Sequence, residues 1–195
     1  KYAITDPILI PKVAILDPTF LIGLPKHISS TTGMDALTHA VEAYIGHSNT
    51  RKTKKYAVEA IQLIFEYLVK SVENPTNTLY REKMQIASYK AGLAFTRAYV
   101  GTVHALAHSL GGKYNVPHGL ANSLILPIVL KAYGKKAEKK LAKLAKYISI
   151  NCRNRNELAL SFITEIENLV RSCGLYRMKA RDIKASSEMI VSKFG

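Results

Sequence analysis

The positions of proline constrain this chain more than any other feature, because they separate two parts of different character. Four of the seven prolines fall in the first 25 residues, where they interrupt short apolar runs. Proline fixes φ and removes a backbone donor, so the runs at 8–10 and 13–16 are predicted as short strands or extended linkers. Two short strands cannot form a stable sheet alone. We therefore expect residues 1–26 to belong to, or to lead from, a sheet formed upstream.

Residues 27–195 have a helical pattern almost throughout. Apolar residues recur there at three- and four-residue intervals, and Asn74-Pro75 and Gly111-Gly112 are typical helix ends. The hydroxyls of residues 29–32 are candidate N-caps for the first helix. The sequence predicts a mainly α, helical-bundle-like domain behind a short stranded amino-terminal segment, with helices at about 29–46, 52–73, 77–99, 102–110, 117–133, 135–150, 156–173 and 178–194.

The apolar content of 48% is ordinary for a globular protein, and it excludes general disorder. The longest apolar stretches, such as Leu124–Leu130, fall far short of the roughly 20 residues that cross a bilayer, so no membrane association is expected. The amino end does not resemble a signal peptide. Cys152 and Cys173 match no metal or redox motif, so we interpret them as reduced thiols of a cytoplasmic protein.

The chain is strongly basic, with 28 Lys and Arg against 14 Asp and Glu and a net charge of +14. The run from Lys131 to Arg155 holds nine of these basic residues against one acid, Glu138. A basic helical module that binds nucleic acid is one interpretation. Lysines spaced three and four apart over an inward apolar face are also typical of a solvated helix. Because no aromatic-interleaved basic motif accompanies the run, nucleic acid is the weaker alternative.

Histidines provide the clearest chemical signal. Between Val100 and Ser123, the only ionisable side chains besides His104, His108 and His118 are Lys113 and Tyr114. Imidazoles in so apolar a stretch need partners, since unpaired buried polar groups cost about 1–3 kcal/mol each. Residues 104 and 108 share one helix face, because they are four apart. A reversal at the Gly-Gly pair would bring residue 118 back to residue 104.

A second pair at the same spacing, Asp35 and His39, offers a carboxylate and an imidazole on one face. With His104 and His118 it forms a set of one oxygen and three nitrogen ligands, which suits Fe(II), Zn(II), Mn(II) or Co(II). A capping aspartate and satisfied core histidines are the alternative explanation. The spacing of His104 and His108 matches that of zinc metalloproteases, but Ala105 stands where their glutamate base is required, which excludes that class.

Two stretches resemble a known family: residues 33–44, GMDALTHAVEAY, and residues 91–127, AGLAFTRAYVGTVHALAHSLGGKYNVPHGLANSLILP. They resemble the carboxyl-terminal, metal-binding domain of the iron-containing (group III) alcohol dehydrogenases. This family is related to glycerol dehydrogenase and dehydroquinate synthase. The resemblance runs from about Ile10 to Val129 and continues more weakly to the end of the chain.

The resemblance implies an NAD(P)-dependent dehydrogenase of two domains that acts on a small alcohol or aldehyde. Its metal ligands would be Asp35, His39, His104 and His118, with Fe(II) favoured and Zn(II) the alternative, as in a glycerol-dehydrogenase-like enzyme. His108 would be a catalytic, non-ligand histidine that relays a proton or orients the substrate. Phe95 would line the substrate pocket.

The resemblance also implies parts that the sequence lacks. No Gly-rich phosphate loop occurs, so the residues that bind the cofactor are expected in a nucleotide-binding domain preceding Lys1. The last helix ends earlier than in the family, so we expect residues 27–195 to be truncated at the carboxyl end. Such a fragment would be inactive alone. Its uncovered apolar surface predicts self-association, and a homo-oligomer is expected.

Overall fold

The computed structural model describes residues 6–175, and within that range the chain is mainly α-helical, as predicted. Two short 3₁₀ helices, at Pro7–Leu9 and Pro18–Leu21, come first. Seven α-helices follow: α1 (Lys26–Ile45), α2 (Arg51–Glu73), α3 (Thr78–Ala98), α4 (Thr102–Tyr114), α5 (His118–Tyr133), α6 (Lys135–Tyr147) and α7 (Arg155–Ser172). The helix predicted at 178–194 lies outside the described residues.

The short strands predicted at 8–10 and 13–16 do not form within the described residues, where residues 6–25 hold two short 3₁₀ helices joined by chain without regular secondary structure. Asp-Pro pairs favour a local turn there. The carboxylate of Asp17 accepts the backbone N–H of Thr19 at 2.9 Å, and Asp6 accepts that of Ile8 at 2.8 Å. Proline in the first turn of each 3₁₀ helix is already set to the required φ. The apolar side chains of this segment stay exposed, with Ile8 at 86% and Ile15 at 87%.

Helix α1 is the centre of the domain and packs against α2, α3 and α5. It is surrounded on most sides, because small and apolar residues occupy nearly every face: Met34, Leu37, Ala40, Val41 and Ala43 have no exposed surface. Around this helix the core is completed by Ile61, Ile64 and Leu68 of α2, by Leu120 and Leu126 of α5, and by Phe162 of α7. Polar residues in the middle of α1, such as Thr38 and Glu42, are therefore held inside the domain.

Two predicted helix ends differ from the structure. Helix α1 begins at Lys26 after Pro25, and the predicted N-cap hydroxyls instead donate to carbonyls one turn earlier, as from Ser30 to Lys26 at 2.8 Å. Helix α4 runs through both of its glycines, neither of which has a positive φ. It ends at Asn115, whose φ is 56°. Asn tolerates this left-handed cap, and the chain reverses there into α5.

Gly119 lets the start of α5 approach the backbone of α1. A Cβ at this position would lie 2.4 Å from the carbonyl oxygen of Thr31, a contact closer than van der Waals packing allows. Only glycine therefore fits between the two helices. The preceding residue, His118, is thereby held against α1.

We expect the substitution Gly119→Ala to push α5 away from α1. The new methyl group meets rigid backbone, so the free energy of unfolding should fall by about 1–3 kcal/mol. Gly112→Ala is the matched control, because no atom lies within 4 Å of a Cβ there. In that exposed helical position alanine should raise the free energy of unfolding by about 0.5–1 kcal/mol. Urea denaturation measures both; a neutral result for Gly119→Ala would contradict the close approach.

Candidate metal site

Three helices bring four of the predicted site residues together. Asp35 and His39 project from one face of α1, His104 lies in the first turn of α4, and His118 is the first residue of α5. One ligand atom from each of Asp35, His39 and His104 lies within 4.8 Å of the other two. His118 joins at the edge of this group, with Nε2 at 3.3 Å from Asp35 Oδ1.

Asp35 is the centre of the cluster, because all three imidazoles face its carboxylate. Its Oδ1 lies 3.5 Å from His104 Nε2, and its Oδ2 lies 3.8 Å from His39 Nδ1. Ligand atoms around one ion at about 2.1 Å are roughly 3–3.4 Å apart, so the separations of Asp35 from His104 and His118 suit a shared ion. The described cluster contains no sulfur ligand.

Glu42, to which the sequence interpretation assigned no role, fixes the orientation of the His104 ring through Nδ1, the nitrogen opposite the one that faces Asp35. Its carboxylate, 3% exposed, lies 2.7 Å from His104 Nδ1. It also accepts the backbone N–H groups of Gly101 at 2.9 Å and Val103 at 2.7 Å, and so caps α4 from α1. Because a carboxylate in this network acts as an acceptor, we assign the proton of His104 to Nδ1.

This arrangement leaves Nε2 of His104 without a hydrogen bond, although the side chain is only 2% exposed; the carboxylate oxygen that faces it, Asp35 Oδ1, lies 3.5 Å away. A buried polar atom without a partner is costly unless something binds it. Histidine ligands of metals commonly donate their other ring N–H to a carboxylate, which sets the tautomer. The residues present therefore fit a divalent metal ion between Asp35 and the imidazoles.

The charges at the cluster are strongly coupled. Burial acts to lower the pKa of His104, but the nearby carboxylates of Asp35 and Glu42 outweigh it and raise the pKa to about 9. Without a metal the ring is therefore protonated on both nitrogens at neutral pH, and a metal ion would displace the proton of Nε2. Burial lowers the pKa of His39 to about 4, against the opposing attraction of Asp35. For Asp35, the nearby imidazoles and Asn122 outweigh burial and hold the pKa of the carboxyl below its usual value. The carboxylate is thus ionised at neutral pH.

Asn122 is a second residue that sequence reasoning missed. Its Nδ2 donates to Asp35 Oδ1 at 2.5 Å and lies 3.0 Å from His118 Nε2. The two residues are neighbours on α5, because they are four apart. Asn122 therefore ties the position of His118 to that of Asp35.

His108 and Phe95, which were predicted at the site but not as metal ligands, also border the cluster. The ring of His108 stacks on His118 with centroids 5.0 Å apart, and it meets the edge of His104 at 6.0 Å. Phe95 stacks on His39, with centroids 4.2 Å apart and planes inclined by 16°. Phe95 thus restrains the orientation of His39, a contact that a pocket-lining role alone does not require.

The helices that carry this cluster match a known protein family. The model of the Fe-containing alcohol dehydrogenase family, C-terminal, matches residues 29–191. The chain therefore belongs to the Fe-containing alcohol dehydrogenase family and corresponds to its helical carboxyl-terminal domain.

Individual relatives support the same family assignment. The chain is 41% identical to 1-propanol dehydrogenase of Citrobacter freundii over 179 residues. This alignment covers 90% of this chain and 48% of the relative. It is 37% identical over 192 residues to alcohol dehydrogenase 4 of Saccharomyces cerevisiae, covering 96% of this chain and 50% of the relative. The chain thus spans about half the length of the curated relatives it matches.

Solved structures share the fold. A 1,3-propanediol oxidoreductase superposes with a TM-score of 0.79 at 40% identity, over 82% of this chain and 42% of that structure. An iron-containing alcohol dehydrogenase from Thermococcus thioreducens gives a TM-score of 0.79 at 28% identity, over 88% of this chain and 44% of that structure. In the part of the chain that the structure describes, no helix is both long and apolar enough to cross a membrane.

Proposed function

We propose that this chain is the metal-holding catalytic part of an NAD(P)-dependent alcohol dehydrogenase that interconverts small alcohols with aldehydes or ketones. Asp35, His39, His104 and His118 hold the metal. The observation that carries the proposal is the buried Nε2 of His104, which faces Asp35 while Glu42 holds the opposite ring nitrogen. A satisfied core histidine would not leave that atom without a hydrogen bond.

Fe(II) is the metal we favour, with Zn(II) as the alternative. One carboxylate and three imidazoles suit either ion, so the donor set alone does not separate them. Membership of the Fe-containing family supports iron. The absence of any sulfur ligand in the described cluster also argues against a closed structural zinc site.

Small primary alcohols are the substrates we favour. Relatives include 1-propanol dehydrogenase, an NADPH-dependent butanol dehydrogenase and 1,3-propanediol dehydrogenase. Both nicotinamide cofactors are compatible with this set. We assign the cofactor seat to a nucleotide-binding domain outside this chain, because the glycines at 111 and 112 lie inside α4 and no phosphate loop occurs among the described residues. Residues 1–26 would lead from that domain.

In the oxidation direction, the substrate hydroxyl loses a proton and its carbon loses a hydride, for which a bound nicotinamide would be the acceptor. A divalent ion would supply Lewis-acid stabilisation at the substrate oxygen. Asp35, His39, His104 and His118 would hold this ion. His108, exposed beside His118, accepts the proton at a ring nitrogen and passes it to water.

The free thiols of Cys152 and Cys173 support a reducing compartment, and we assign the enzyme to the cytoplasm. The exposed apolar side chains of residues 8–22 support association, either with the nucleotide-binding domain or between copies. Neither assignment depends on the metal site.

The substitution His108→Ala tests whether His108 acts in catalysis without binding the metal. In the protein that carries this chain with its nucleotide-binding domain, we expect kcat for 1-propanol oxidation to fall about 100- to 10,000-fold. The metal content should stay at one ion per chain, because His108 is not a ligand. Steady-state kinetics and elemental analysis of the same preparation measure both quantities. Loss of the metal in this variant would show that His108 is a ligand and would overturn its proposed role.

A further inference from the structure

The basic run that the dehydrogenase function leaves unexplained forms a cleft between α6 and α7. Three lysines of α6, one arginine of the loop before α7 and the arginine that begins α7 line one cavity of about 310 Å³. Its floor consists of small or apolar groups, including the buried Ala142 and Leu158. We call this cavity the basic cleft; its cations are Lys139, Lys143, Lys146, Arg153 and Arg155.

Among the described residues, no carboxylate lines the basic cleft. None of its five cations takes part in an ion pair within the described part of the chain. The nearest acid in sequence, Glu157, is occupied by the local backbone. Its carboxylate accepts the N–H of Arg153 at 3.2 Å and the side-chain amide of Asn154 at 2.8 Å. Within residues 6–175, therefore, no ion pair neutralises the positive charge of the cleft.

This distribution of charge differs from an ordinary solvated helix face. Like charges four apart on a helix are destabilising, and here the lysines at 139, 143 and 146 also face two arginines from another element. The amino-terminal end of α7 borders the same cavity, but Asn154 caps it and Glu157 lies in its first turn, so we count no positive charge from this helix end. The lysines of α6 and the arginines around the start of α7 thus bring positive charge from two segments to one concave site.

We propose that the basic cleft binds a compact anion that carries several phosphate groups. Guanidinium forks and ammonium groups are usual ligands of phosphate oxygens. The cavity is small enough to hold two or three linked phosphates, whereas an extended polymer would lie outside it. Inorganic tripolyphosphate and the triphosphate of a nucleotide share this chemistry. The site does not depend on the proposed dehydrogenase activity, because no cleft residue belongs to the metal cluster.

Isothermal titration of the 195-residue chain with tripolyphosphate tests this site, with ATP and orthophosphate as parallel arms. We expect one tripolyphosphate per chain, binding that weakens as salt rises, and much weaker binding of orthophosphate. Equal affinity for ATP would identify the nucleotide phosphates as an equivalent source, whereas much tighter binding of tripolyphosphate would identify the free anion. Both results support the cleft.

Two double variants of equal charge test whether tripolyphosphate binds in the basic cleft. The double variant Lys143→Gln, Arg155→Gln should weaken tripolyphosphate binding about tenfold or more, since it removes two of five contacts. The control Lys52→Gln, Lys135→Gln removes the same charge outside the cleft and should change affinity less than about twofold. Equal losses in both variants, a stoichiometry above one, no measurable binding, or tighter binding of a short DNA duplex would each overturn the proposal. Thermal unfolding of both variants verifies that they remain folded.

Discussion

Replacing His104 with alanine is expected to remove the metal-binding capacity of the chain. The wild-type chain, reconstituted anaerobically with Fe(II) or Zn(II), should retain one ion, and the variant should bind more than about 100-fold more weakly. The physical reason is that His104 provides the only ligand nitrogen that is both buried and free of other hydrogen bonds in the described cluster. Elemental analysis after gel filtration measures the bound metal.

Two further variants separate loss of the metal site from loss of the fold. His118→Ala removes a proposed ligand whose side chain is 42% exposed, so the variant should remain folded while its metal affinity falls similarly. His47→Ala removes an exposed histidine outside the cluster and should leave the stoichiometry unchanged. Full metal retention by the folded His104→Ala chain would contradict the proposed ligand set.

The substitution Glu42→Leu is expected to lower both metal affinity and stability. It removes the acceptor of His104 Nδ1–H and of two backbone N–H groups at the start of α4. Each buried donor left unsatisfied costs about 1–3 kcal/mol, so the free energy of unfolding should fall by roughly 2–5 kcal/mol. Metal affinity should fall about 10- to 100-fold, as for other groups that orient a histidine ligand. Urea denaturation of the metal-free chain and metal titration measure the two effects separately.

Matched variants identify the cause of those losses. Glu42→Gln keeps the shape and one acceptor oxygen, so its effects should be smaller than those of Glu42→Leu. Glu167→Gln breaks an ion pair with Lys131 on the surface, and it should change stability by about 1 kcal/mol or less. If Glu42→Leu were as stable as Glu167→Gln and bound metal normally, the capping and orienting role of Glu42 would be wrong.

The elements of the domain could be predicted because their signals are local. The apolar periodicity of α2 and the stop at Asn74-Pro75 lie within one helix, and that helix ends at Glu73. The i, i+4 pair Asp35 and His39 needed only helix geometry. The reversal that brings His118 to Asp35 was expected at the glycines, but it occurs at Asn115, because α4 continues through them.

The parts that could not be predicted depend on contacts between distant segments. Glu42 follows His39 by three residues and Asp35 by seven, a spacing that places it on their helix face. That spacing was the available signal, but the partner is His104, 62 residues away. Likewise, the apolar runs before residue 26 resemble strands only if a sheet exists to pair them. Within the described residues none does, and Asp-Pro turns determine their conformation.

Anomalous diffraction at the iron absorption edge, from crystals of the anaerobically reconstituted chain, tests the central claim most directly. We predict a single strong peak in contact with Asp35, His39, His104 and His118, with the Nε2 of His104 directed at it. The same position should give a peak at the zinc edge after reconstitution with Zn(II). A peak beside Cys152 or at the surface, or no peak at this cluster in fully loaded crystals, would contradict the metal site.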